Sequence, residues 1–267
     1  MLSKLLVTTF FFIILASLSY GEESRIQMWS TKHCPYSCSE EKGLVSEVMQ
    51  KFFTDEKIPL QLNMGPWLRI IKLSKKREVV DIFTPTLPEA APHLWFPDYP
   101  IAYDRFCYYT RSTSNWEYKG IDSLKEIGLI VVKGYVYQVL DPEIMKYINK
   151  NEKNTKRIRF LYGDKVALRG LQKVQGSRGD VFLTSEMVSN HILSPDKRKD
   201  LRKAYCYDYN EYHVGLNKKS PKFAFLKPLI QKKLKEKILS GGYDNLLRKY
   251  QFDPQILTAL IKKSSIN

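Results

Sequence analysis

Apolar positions along the chain alternate between short continuous runs and stripes with helical spacing. Residues 25–30, RIQMWS, predict a short strand, and the turn-rich TKHCPYSC follows it. Ser39 with Glu40 and Glu41 predicts a helix start, since a hydroxyl can accept from the free first amides and acids suit the positive helix end. Leu44, Val48 and Phe52 recur at a spacing of four, flanked by Val45, Met49 and Phe53, so that helix has one apolar face. A strand over 60–63 comes next, then a helix opened by Pro66 that carries Trp67, Ile70, Ile71 and Leu73. A strand over 79–83 completes a β-α-β-α-β order. Such an order implies parallel strands joined by helical crossovers.

A second run of the same kind begins at 128. GLIVVK over 128–133 predicts a buried strand, and Gly134-Tyr135 leads into a helix. Strands over 158–161 and 181–183 bracket a helix over 166–174, and 205–216 is a long aromatic extended segment. From Phe225 the pattern turns helical, through Leu226, Leu229, Ile230, Leu234 and Ile238. Gly241-Gly242 breaks it before short helices over 243–250 and 254–262. The expectation is an α/β protein of two units, with two extended aromatic segments where the units join.

The N-terminus changes the setting. Lys4, an apolar run over 5–15 and the small-residue tail 16–21 have the order of a cleavable secretory signal. The run is shorter than the ~20 residues of a membrane-spanning helix, although an uncleaved anchor is the alternative. Removing residues 1–21 leaves 246 residues with net charge +14, because Lys4 is the only charge lost. The basic residues are spread along the chain, as in Lys197-Arg198-Lys199, with no nucleic-acid module among them. A solvated basic surface is therefore expected, and no nucleic-acid partner.

Export also gives the four cysteines, 34, 38, 107 and 206, an oxidising compartment. Three pairings are possible. Cys34 and Cys38 can close a small loop, while Cys107 and Cys206 both sit in aromatic strand-like runs, which favours Cys34–Cys38 with Cys107–Cys206. A metal site is the weaker reading, because His33, His93, His191 and His213 show no ligand spacing around the cysteines.

Seven segments, in this order, resemble the type II periplasmic solute-binding proteins of the amino-acid-binding kind (bacterial extracellular solute-binding protein family 3). They are PY at 35–36, PWLRIIK at 66–72, VVDIFTPT at 79–86, LWFPDYPI at 94–101, DSLKEIGLIVVKGYVY at 122–137, GSRGDVFLTSE at 176–186 and GGYDNLLRKY at 241–250. The resemblance implies two lobes with mixed sheets flanked by helices, joined by two crossover strands. Lobe one would span 22–106 plus 212–267, and lobe two 107–211. Cys107 and Cys206 would then sit on neighbouring crossover strands, close enough for a bond.

The same resemblance implies a ligand cleft between the lobes. Tyr36 would be an aromatic lid, Trp67 and Arg69 would follow the second strand, and Thr84 and Thr86 would end the third. Gly134-Tyr135 would open a lobe-two helix whose free amides face an anionic group, with Tyr109 and Arg111 on the crossover as lesser candidates. Ordinary roles are open to these residues too: Tyr36 in a surface turn, Trp67 in the core, Arg69 in solvent. Two anchors depart from the family pattern. Ala90 stands where a carboxylate-binding Arg is expected, and Ser185 with Glu186 stands where an ammonium-binding Asp is expected. Loss of both argues against a standard α-amino acid as ligand.

The expected function is solute capture by hinge closure, in the periplasm, by a monomer that needs no cofactor and serves a membrane transporter (of the ABC class) or a sensor. Two alternatives remain. One is a lyase-type enzyme on the same scaffold, for which Glu186 with His33 or His93 is the only acid/base set to hand. The other is an interaction protein with a degenerate cleft.

Overall fold

The computed structural model describes residues 25–75, 80–163 and 165–264; the expected leader over 1–21 and Val79 lie outside them. Lobe one begins with β1 (Ile26–Ser30), α1 (Leu44–Asp55), β2 (Leu60–Met64), α2 (Trp67–Leu73), β3 (Ile82–Thr86) and β4 (Ala102–Asp104). Lobe two follows as β5 (Phe106–Arg111), β6 (Leu129–Val132), α3 (Pro142–Lys150), β7 (Ile158–Leu161), α4 (Val166–Gln175), β8 (Val181–Ser185), α5 (Glu186–Ile192), α6 (Pro195–Arg198) and β9 (Leu201–Cys206). The chain returns to lobe one through β10 (Asn210–Leu216), a helical rod α7 over 223–239, α8 (Asp244–Lys249) and α9 (Pro254–Ser264).

Both sheets follow one plan. Lobe one has the order β2-β1-β3-β10-β4, with β1, β2 and β3 parallel and β10 antiparallel to β3 and β4. Lobe two has the order β7-β6-β8-β5-β9, with β6, β7 and β8 parallel and β5 antiparallel to β8 and β9. The strands β3 and β8 are buried along their whole length, as strands covered by helices on both faces must be. α1 buries the face read from sequence, Leu44, Val45, Val48, Met49, Phe52 and Phe53. The parallel strands of each lobe point their C-terminal ends toward the junction, which is where α/β sheets present ligand sites.

Several local expectations are corrected. Ser39 does not cap α1: its hydroxyl accepts from the amides of Glu41 and Lys42 in a separate turn, and the helix starts five residues later at Leu44. Gly43 makes the junction, with φ of 119°, and a Cβ there would lie 2.5 Å from the Tyr36 carbonyl oxygen. Gly134-Tyr135 leads only into a single 3-10 turn, Tyr137–Val139, and not into an α-helix. The chain turns there, and α3 begins at Pro142 behind the N-cap Asp141, whose carboxylate accepts from the Glu143 amide at 2.8 Å. β3 lies a few residues beyond the expected strand, and 205–216 is two strands rather than one.

Sheet membership changes between Asp104 and Phe106 and again between Cys206 and Asn210. Phe106 therefore pairs within lobe two, and Asn210 and Glu211 within lobe one, a residue or two from the expected boundaries. Cys107 and Cys206 are opposed in the β5–β9 ladder and bonded, with Cα atoms 4.0 Å apart. The adjacent Phe106–Tyr207 position carries the hydrogen bond, so the cysteines occupy a narrow, non-hydrogen-bonded pair where side chains come closest. Cys34 and Cys38 close the small loop, with Cα atoms 4.6 Å apart. Among the described residues no helix is long and apolar enough to cross a membrane.

Candidate functional site at the lobe junction

The crossover stretch around 102–107 is apolar and aromatic apart from two adjacent charges, Asp104 and Arg105. β4 ends on Asp104, and β5 begins one residue after Arg105, so both charges sit at the point where the chain changes lobe. Asp104 is fully buried. One carboxylate oxygen accepts from the Arg105 amide at 2.8 Å and from the Met187 amide of lobe two at 3.3 Å. The other has no partner of ordinary hydrogen-bond geometry among the described residues, although the Ser185 and Tyr36 hydroxyls are near enough to stabilise its charge. Burial outweighs these donors and pushes the Asp104 carboxyl up to about 7. Across the ladder, Asn210 opposes Asp104, and its buried side-chain nitrogen also lacks a partner among the described residues. The rings of Tyr36, Tyr135 and Tyr212 are close enough for the Asp104 charge to disfavour their ionisation.

Arg105 and Glu186 hold the other side of the junction. Arg105 donates to both Glu186 carboxylate oxygens, at 2.5 and 3.0 Å, and Lys203 donates to one of them. Burial works against ionisation of Glu186, but the hydrogen bonds and charges of Arg105 and Lys203 prevail and hold it below the usual carboxylate range. The triad ties the crossover, the start of α5 and β9 together beside the Cys107–Cys206 bond. α5 in turn reaches into lobe one, where Met187 and Val188 join the core.

The expected ligand residues are scattered over this frame. Tyr36, expected as a lid, is a core side chain: its hydroxyl donates to the Tyr103 carbonyl at 3.0 Å, and its ring packs edge-on against Tyr212 and Phe252. Ser185 caps α5, accepting from the Val188 amide at 2.9 Å. Thr84 and Thr86 are buried and donate to the carbonyls of His213 and Leu87. Arg111 is turned away, donating at 3.3 Å to the carbonyls of Val174 and Gly179 in lobe two. Trp67 is half-buried against Phe83, and Arg69 on the same helix is exposed. Tyr135 is half-buried near Phe106 and Tyr137 at the junction. Asp104, Asn210 and Tyr212 were not singled out from sequence; a lone Asp-Arg pair inside AYDRFCYY was the available signal.

Neither histidine named for acid/base chemistry is hydrogen-bonded or ion-paired to Glu186 among the described residues. His93 pairs with the Ser74 hydroxyl at 2.7 Å, and desolvation lowers half-buried His33 to about 4, so it stays neutral. Two groupings bring His191 near Cys34 and Cys38, and Glu186 near Cys107 and Cys206. The sulfurs in both are oxidised to disulfides, so they are not thiolate ligands for a metal.

No family model matches the sequence, and no curated protein matches it. Solved structures do match. A P235GK mutant of ArgBP from T. maritima superposes with a TM-score of 0.64 at 16% identity, covering 87% of this chain and 97% of that one. The arginine-, lysine-, histidine-binding protein ArtJ from Geobacillus stearothermophilus gives 0.61 at 16% identity, covering 85% and 95%. A histidine kinase sensor domain with similarity to periplasmic binding proteins gives 0.65 at 14% identity, covering 85% and 96%. At these identities the likeness is one of fold, and it spans nearly the whole of each relative. Two mixed sheets, two crossovers and this likeness together give the chain the two-lobed, type II periplasmic-binding-protein-like fold.

Proposed function

We propose that this chain is an exported solute-binding protein that captures a small polar ligand between its lobes and presents it to a membrane transporter or a sensor. The single observation that carries the reading is the buried Asp104 carboxyl at the crossover, with one oxygen unpartnered and tyrosines around it. A buried polar atom left without a partner costs about 1–3 kcal/mol, and a ligand donor closing on it recovers that cost. Superposable proteins that bind arginine, lysine and histidine, and a sensor domain, support the role without naming the ligand. Ala90 and the helix-capping Ser185 leave the two usual amino-acid anchors without equivalents here, which supports a ligand other than a standard α-amino acid.

The test is a melting-temperature screen against amino acids, polyamines, short peptides, nucleobases and organic acids. At least one class should raise the midpoint in a concentration-dependent way, since a ligand at 100 times its Kd adds about 2.7 kcal/mol. Asp104→Asn should abolish the largest shift while the variant keeps its far-ultraviolet spectrum. A flat response from every class would overturn the solute-capture reading.

A further inference from the structure

A pocket of about 470 Å³ lies in lobe two, on the side of α5 away from lobe one's core. That volume is within the roughly 300–1,000 Å³ of small-molecule sites. Its floor is β5 and β9, where Tyr109 and Lys203 are register partners, and its roof is α5 with the segment leading through α6. The Tyr109 ring belongs to the buried cluster that includes Leu193 and Leu201, both of which also line the pocket. The ring is only 4% exposed, yet among the described residues its hydroxyl makes no hydrogen bond of ordinary geometry; the Ser189 oxygen, whose own proton goes to the Ser185 carbonyl at 2.6 Å, is near it but outside that geometry. The Asn190 amide lines the same space.

The charge in the pocket is positive. Lys203 shares Glu186 with Arg105, so one carboxylate answers two cations there. Arg198, at the end of α6, has no carboxylate partner among the described residues; its neighbour Asp196 is paired with Lys199 at 3.1 Å. Apolar walls, an unpartnered hydroxyl, an amide and an unpaired guanidinium are complementary to one ligand chemistry: a carboxylate on a compact apolar body. We infer that this pocket is a second ligand site, separate from the lobe junction, and that it takes small organic monocarboxylates. The carboxylate sits between Arg198 and the Tyr109 hydroxyl, with the apolar body against Leu193 and Leu201. Because the roof is α5, whose other residues pack in lobe one, occupancy also stiffens the element that links the lobes.

The test uses the purified, oxidised protein with benzoate and 4-methylpentanoate, each compared with its own amide by calorimetry. Both acids should bind saturably, and the amides about tenfold more weakly, because they lack the charge that Arg198 pairs with. Arg198→Ala changes an exposed side chain and Tyr109→Phe removes one oxygen, so both variants should fold; each should weaken the acids by about three- to tenfold. Leu68→Ala, at an exposed position in lobe one, should leave the affinity unchanged. Hydrogen exchange over 186–192 should slow when either acid is bound. Failure of both acids to bind saturably, equal binding of acid and amide, unchanged affinity in both lobe-two variants, or unchanged exchange over 186–192 would each overturn the site. The pocket shares Lys203 with the junction triad, so the two readings are told apart by variant: Arg198→Ala and Tyr109→Phe should leave any screen shift that Asp104→Asn abolishes unchanged.

Discussion

The Asp104 carboxyl, with its ordinary value near 3.8, titrates near 7 in the folded chain because burial removes the water that would solvate its charge. Between about 4 and 7 the folded protein therefore holds a proton that the unfolded chain has released. That contribution to stability is complete below about 4 and is lost as pH rises through about 7. Asp104→Asn cannot titrate, so its urea midpoint should change less than the wild type's between pH 5 and 7.5. A parallel pH dependence of the two midpoints would contradict the assignment. Gly170 makes a second prediction at this scale. A Cβ there would lie 2.3 Å from the ring of Phe182, a fully buried side chain with little room to yield. Gly170→Ala should cost about 1–3 kcal/mol by overpacking, read from the denaturation midpoint. From sequence, Gly170 is one more glycine in a helix and Asp104 one more acid. Their neighbours in space set their roles, and those neighbours are distant in the chain.

At the scale of elements, the crossovers are held by a covalent bond and an ion triad, and the two should respond differently. Opening Cys107–Cys206 releases a loop with a sequence separation of 99. Replacing both cysteines with serine should lower stability by about 2–5 kcal/mol with the fold retained, measured by urea unfolding. Glu186→Ala leaves Arg105 and Lys203 facing each other without their carboxylate. Both are about a third exposed and can recover water, so the cost should be only about 1–3 kcal/mol, and Glu186→Gln should cost less. A larger loss on Glu186→Ala than on opening the disulfide would reverse this ranking. The pairing of the cysteines was legible because closeness and aromatic strand-like runs are local features. The triad was not, since its members are 81 and 17 residues apart: Glu186 reads in sequence as a ligand candidate, and nothing local ties it to Arg105 or Lys203.

For the whole molecule, two sheets connected at 104–106 and 206–210 predict closure on ligand by rotation about those strands. Small-angle scattering should show a smaller radius of gyration with the best ligand from the screen than without it; an unchanged radius would argue for binding without closure. The order of strands and helices was readable from the chain because apolar spacing is a nearest-neighbour property: the α1 stripe, the buried runs of β6 and β8, and the break at Gly241-Gly242 all lie where the pattern placed them. Helix starts were less secure, as at Ser39 and Tyr135, because a capping residue serves a turn as readily as a helix. By itself, then, the sequence determined the elements, their two-unit grouping and the chemistry available. Only the tertiary structure decided which side chains meet, turning Arg111 to lobe-two carbonyls, Tyr36 into the core and Ser185 to α5, and leaving Asp104 half-partnered at the junction. The reason is physical: hydrogen bonding and desolvation act over a few ångströms in space, and those contacts join positions tens of residues apart in the chain.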